Sequence, residues 1–183
     1  MRPHQVSANL RSALWRARRE AGEEIVHNTG NRIGLHQSIH VDLHHWAHKA
    51  REVLSNSLAK PPEDIEKLLS ALSQHLLPSW DEQWLTLEQQ RWNELRLHAL
   101  ELLAERLGGI GRHVEAVETG LEAVSIEPYR ESANRALMAA YLSEGNYASA
   151  VAQYSKYRRL LLREVGLHPT QKMQAFVQRI MGN

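Results

Sequence analysis

The sequence predicts a mainly α protein: a helical-repeat domain preceded by one helix and one small β-hairpin. Three observations carry that prediction. Two segments 34 residues apart, Gly111-Arg-His-Val-Glu-Ala116 and Gly145-Asn-Tyr-Ala-Ser-Ala150, share one pattern. Their register extends to Leu103 with Leu137, Leu107 with Tyr141 and Val117 with Val151. Apolar residues recur at helical spacing through most of the chain. β-branched residues flank an Asn/Gly turn once, between Glu24 and Leu35.

A period of 34 residues is the length of a helix–turn–helix tetratricopeptide unit. Ala116 and Ala150 stand where two helix backbones of such a unit approach closely. Gly111 and Gly145 permit the tight turn between its helices. A surface of stacked units is suited to binding rather than to chemistry.

The elements follow in order. Residues 5–21 place Val6, Leu10, Ala13, Leu14, Ala17 and Ala21 on one helical face, and Gly22 ends the helix. Glu24–His27 and Arg32–Leu35 flank Asn28-Thr-Gly-Asn31 as a hairpin. Asp42 is placed as the N-cap of a helix over 43–57. Pro61-Pro62-Glu63-Asp64 opens a helix that runs to about Leu76, and Pro78 breaks it. A long helix over 81–107 takes Trp84, Leu87, Leu95, Leu102 and Leu103 as apolar positions, with Trp92 on its flank. Gly108-Gly109 is expected to stop it. Further helices are expected at about 112–125, 130–143, 147–163 and 170–181. The domain boundary is placed near Val41, giving domains 1–40 and 41–183.

Composition narrows the function. The chain has 43% hydrophobic and 23% charged residues, the balance of a globular protein. It contains no cysteine, which excludes disulfides, thiolate metal sites and cysteine nucleophiles and fits a reducing cytoplasm. No run of apolar residues is long enough to span a membrane. Residues 1–60 carry nine Lys/Arg against five Asp/Glu, a net +4, whereas residues 61–183 carry a net −3. Residues 1–19 hold five arginines and no acid. A polyanion partner is therefore expected at the N-terminal end.

The first helix sets Ser12, Trp15, Arg16 and Arg19 opposite its apolar stripe, with Arg11 and Arg18 on the flank. Such a face suits a DNA major groove, because arginine bonds guanine edges bidentately or clamps phosphates. The hairpin is expected to carry Arg32 and His27 near its tip, where a wing meets a neighbouring backbone. The residues alone also describe a basic surface helix followed by a hairpin. His44 and His48, at i and i+4, lack a third ligand and are read as solvated or partly packed, so no metal or cofactor is assigned. Trp80, Trp84 and Trp92 at helical spacing are read as core. Arg158, Arg159 and Arg163 are read as a solvated basic strip. No catalytic triad, phosphate loop or paired-carboxylate motif is present, so no enzymatic activity is expected.

In combination these pieces resemble the Streptomyces antibiotic regulatory protein family. The segment Ala8-Asn-Leu-Arg-Ser-Ala-Leu-Trp-Arg-Ala-Arg-Arg19 is similar to that family's recognition helix. Val41-Asp42-Leu43 with Trp46 resembles the opening of its activator domain. So do Trp80-Asp-Glu-Gln-Trp84, Leu95-Arg-Leu-His-Ala-Leu-Glu-Leu-Leu-Ala104, Glu127-Pro-Tyr-Arg-Glu131 and Leu161-Leu-Arg-Glu-Val-Gly-Leu-His-Pro169. The resemblance implies an OmpR-type winged-helix DNA-binding domain joined to a bacterial transcriptional activator domain. It implies a cytoplasmic regulator that binds promoter DNA as a homodimer and contacts RNA polymerase or another protein through its repeats. It further implies that residues 1–40 are the last third of the winged helix, so that the chain is N-terminally incomplete. The alternative is a protein- or peptide-binding tetratricopeptide-like module without independent DNA binding.

Overall fold

A computed structural model describes residues 3–22, 25–29, 32–55 and 61–182, without the side chains of residues 3–9, 11, 28 and 29. The described residues form α1 (Pro3–Ala21), β1 (Val26–Thr29), β2 (Arg32–Leu35), α2 (Asp42–Ser55), α3 (Ile65–Leu72), α4 (Gln83–Gly109), α5 (His113–Ile126), α6 (Glu131–Ser143), α7 (Tyr147–Val165) and α8 (Gln171–Met181). The described residues are mainly helical with one antiparallel hairpin, as the sequence predicts. The chain divides into two compact units, residues 1–42 and 43–183.

In the first unit, Gly22 ends α1 at φ +72°, donating its N–H to the Arg18 carbonyl. The strands pair with Val26 opposite Leu35 and Thr29 opposite Arg32. Gly30 and Asn31 of the expected turn lie outside the described residues.

The second unit is built around α4, 27 residues and so about 40 Å long. Its first half faces α2 and α3. Its second half pairs with α5 to make the first repeat, and α6 with α7 makes the second. One core joins Ala50, Val53, Leu68 and Leu72 to Leu100, Leu103, Leu107 and Ala116. Another joins Met138, Ala150, Tyr157 and Leu161 to Met173 and Val177 of α8.

The repeat is visible at the level of single hydrogen bonds. Arg112 N–H bonds the Leu107 carbonyl at 2.9 Å, and Gly111 N–H bonds that of Gly108 at 3.2 Å. Thirty-four residues on, Asn146 N–H bonds the Tyr141 carbonyl at 2.8 Å, and Gly145 N–H bonds that of Leu142 at 3.0 Å. Both are Schellman turns, with Gly111 at φ +84° and Gly145 at φ +80°. Ala116 and Ala150 are fully buried. Between repeats the contact is closer still: a Cβ added at Gly120 lies 2.9 Å from the Leu137 Cα.

The structure corrects several sequence expectations. Gly108-Gly109 does not stop α4. The helix runs through both and Gly111 turns the chain, while Gly108 makes room for the Ser143 hydroxyl of α6. Helix α3 ends at Leu72 rather than near Leu76. Trp80 and Trp84 are exposed, not core, at 53% and 62%, whereas Trp92 is buried and donates its indole N–H to the Gln74 carbonyl at 2.9 Å. Leu87 is also exposed. The buried face of α4 runs through Leu85, Trp92, Arg96, Leu100, Leu103 and Leu107, about one residue round from the expected stripe.

At the middle of that face lies Arg96, which is fully buried. Its guanidinium donates to the carbonyls of Leu72, Gln74 and Ser73 at 3.2, 3.3 and 3.5 Å, to His75 Nδ1 at 3.0 Å and to Asn93 Oδ1 at 3.0 Å. The cation thus closes the negative C-terminal end of α3. Burial pushes its pKa below the usual arginine value, opposed by the field of Glu122. Arg106 treats α2 alike, donating to the Val53 carbonyl at 2.8 Å.

Candidate nucleic-acid interface

Helix α1 forms because its long and small side chains favour helix and no proline interrupts it after the first position. Its apolar stripe is covered only in part: Leu14 and Ala17 are half-buried, while Leu10 is 45% exposed and Ala13 and Ala21 are exposed. Arg18 and Arg19 in the last turn complement the helix dipole.

The opposite face presents Ser12, Trp15, Arg16 and Arg19, with Arg18 on the flank, all exposed. Arg16 Nε bonds back to the Ser12 carbonyl at 3.3 Å, which holds its guanidinium along the helix. The Arg19 guanidinium lies 5.2 Å from the centroid of the Trp15 ring. That cation–π contact holds the charged group against the indole face. The Arg11 side chain lies outside the described residues.

On the hairpin, Arg32 is exposed and pairs with Thr29 beside the turn. His27 is not at the tip. It sits opposite Gly34, half-buried, with its ring over that glycine where an added Cβ would come within 3.0 Å. Gly34 therefore accommodates the imidazole. Ile33 and Leu35 remain exposed.

In the second unit, His44 and His48 do not converge on a common ligand set. His48 Nε2 lies 3.4 Å from Glu52, and His44 lines a groove between α2 and α4. Among the described residues no group of three or more His, Cys, Asp or Glu side chains is placed to hold a metal. Arg158, Arg159 and Arg163 are exposed, and Arg163 pairs with Glu164. No described helix is long and apolar enough to cross a membrane.

The polar ties between repeats escaped the sequence reading. Arg130, at the start of α6, bonds Glu101 at 2.8 Å and Glu94 at 3.0 Å on α4, and the Ser132 hydroxyl donates to Glu101 at 2.7 Å. Asn134 accepts from Gln153 at 2.8 Å in the buried joint of α6 and α7. Glu131 accepts from the Thr170 N–H at 2.8 Å and from its hydroxyl, which ties α8 to α6.

Known proteins resemble the chain in two ways. The family described as bacterial transcriptional activator domain matches residues 41–181. A regulatory protein AfsR of Streptomyces griseus is 29% identical over 186 aligned residues, covering 98% of this chain. A regulatory protein AfsR of Streptomyces coelicolor is 35% identical over 94 aligned residues, covering 51% of this chain. The alignments cover 19% and 10% of the length of these relatives.

Proposed function

Because the chain belongs to the bacterial transcriptional activator domain family, we propose that it is a cytoplasmic, DNA-binding transcriptional activator in which residues 1–40 supply the recognition helix and wing of a winged helix. Residues 41–183 form the activator domain, which mediates homodimerisation and contacts RNA polymerase or another protein. The observation that carries the reading is the outward face of α1, where Ser12, Trp15, Arg16, Arg18 and Arg19 are exposed together.

In this reading Ser12, Arg16 and Arg19 address base edges in the major groove, with Trp15 supporting Arg19. Arg11, Arg18 and Arg32 address phosphates. The two sets differ in what they control. Phosphate contacts set affinity and its salt dependence, whereas base contacts set selectivity.

The test is a fluorescence-anisotropy titration of duplex DNA from a target promoter, and of a scrambled duplex, at two salt concentrations. Affinity is expected to fall linearly on a log–log scale with salt. Arg16→Ala should cost about 1–3 kcal/mol and relax selectivity, and Arg32→Ala should weaken both duplexes alike and flatten the salt slope by about one. If neither duplex binds at low salt, or if Arg16→Ala changes nothing, the reading fails. The chain is then a protein-binding repeat module without independent DNA binding.

A further inference from the structure

We propose that the groove between α6 and α8 docks an acidic peptide segment of a partner protein, one that places an apolar residue between two carboxylates. The groove encloses about 560 Å³, within the range of about 300–1,000 Å³ typical of ligand clefts. Helix α6 gives it Glu131, Ser132 and Arg135. Helix α8 gives it Lys172, Phe176 and Arg179 above the buried Met173.

Its three cations, Arg135, Lys172 and Arg179, are exposed and have no ion pair or hydrogen bond among the described residues. Several cations elsewhere on the repeats are already engaged: Arg112 by Glu115, Arg130 by Glu94 and Glu101, Arg96 by the end of α3. The one carboxylate of the groove, Glu131, is occupied by both donors of Thr170. The groove therefore presents surplus positive charge, in keeping with residues 131–183, which carry seven Lys/Arg against three Glu. Helices α6 and α8 also both begin beside it, adding the positive ends of two dipoles.

Spacing defines the occupant. Lys172 and Arg179 stand seven residues apart on α8, about two turns and about 10 Å along its axis. Phe176, half-buried, lies between them. A chain in the polyproline II conformation, with three residues per turn and a rise of about 3.1 Å, covers that distance in about three residues and returns to the same face. The fitting segment thus reads acid, two residues of which at least one is apolar, acid. A phosphate backbone would satisfy the cations but leave the Phe176 floor without an apolar partner, so a peptide is favoured over a nucleic acid. The cationic strip on α7, with Lys156, Arg159 and Arg163, is a poorer candidate. It lines only one helix, and Arg163 is already paired. The groove stands apart from the DNA contacts assigned to α1 and is tested without them.

The probe is a fluorescein-labelled peptide of sequence SELLES, with SQLLQS as its neutral control, titrated against the full chain by anisotropy. SELLES should bind with an affinity that weakens as salt rises, and SQLLQS should bind about ten-fold more weakly or worse. Reversing the groove charges (Arg135→Glu with Lys172→Glu and Arg179→Glu) should cost about ten-fold or more, whereas Arg158→Glu with Arg159→Glu on α7 should leave binding unchanged. Circular dichroism monitors helicity of each variant. Amide chemical-shift changes in the unmutated chain supply a readout that needs no variant, and they should cluster at residues 131–135 and 171–179. The proposal is overturned if SELLES fails to bind up to millimolar concentration, or if the charge reversal leaves its affinity intact. It is equally overturned if the shifts map elsewhere, or if the reversal abolishes binding of duplex DNA while sparing the peptide.

Discussion

Replacing Arg96 by Met keeps most of the side-chain volume and removes the donors that close α3. Three carbonyls lie within reach of the guanidinium, but they are not equal. Gln74 keeps a donor because the Trp92 indole also bonds it, while Leu72 and Ser73 lose theirs. A buried acceptor left without a donor costs about 1–3 kcal/mol. Loss of a cation at a partly buried helix C-terminus adds up to about 2 kcal/mol. Relief from burying a charge offsets part of this. A net loss of about 3 kcal/mol is expected, a fall in melting temperature of about 6–12 °C for a unit of this size. Urea denaturation followed by circular dichroism measures it, with the m-value unchanged if only stability moves. Arg96→Lys should recover part of the loss, since an ammonium reaches fewer carbonyls. A double variant with Trp92→Phe should lose more than the sum of the single losses, because only then does the Gln74 carbonyl lose both donors. If Arg96→Met is as stable as the parent, Arg96 is a passively buried side chain and the account of α3 closure is wrong.

Other expectations are simpler to read. Gly120→Ala and Ala150→Leu should each destabilise by about 1–3 kcal/mol through overpacking, and an unchanged midpoint for Ala150→Leu would contradict the helix pairing of α6 with α7. Burial, reinforced by the Glu131 carboxylate, pushes the Tyr157 phenol up to about 12. Because the folded value lies above the unfolded one, its contribution to stability is full below pH about 10 and is lost as pH rises toward 12. Tyr157→Phe should abolish that alkaline loss in denaturation curves taken across the window. Amide hydrogen exchange in α1 should outpace that in α5 and α6, since Leu10 and Ala13 are uncovered while Ala116 and Ala136 are sealed. Equal protection would mean that the α1 stripe is covered in solution.

Local rules made most of the fold legible. Gly111 and Gly145 announce their turns because only a residue tolerant of positive φ closes a helix that way. Ala116 and Ala150 announce a close crossing because size is readable from the sequence. The same rules misled at α4. Arg96 counts as polar in any pattern, yet its partners are carbonyls more than twenty residues upstream, so the buried face was drawn one residue off. Trp84 and Leu87 count as apolar, yet they stand on the exposed side of α4 once Leu85 and Trp92 define its buried face. The α1 surface was legible because its arginines share one helix. The groove cations were not, because Arg135 meets Lys172 and Arg179 only after α7 has carried the chain away and back.

The sharing of α4 between the α2–α3 layer and the first repeat gives the array a direction. In a simple solenoid each unit makes the same two interfaces, and units can be added or deleted at either end. Here the leading helix is already claimed, with Arg96 at its middle and Arg106 in its last turn fastened to the ends of α3 and α2. A unit inserted before α4 would have to displace that attachment. At the other end α8 is held by Glu131 with Thr170 and by Met173 and Val177 in the second core, so the two ends of the array are fastened by different means.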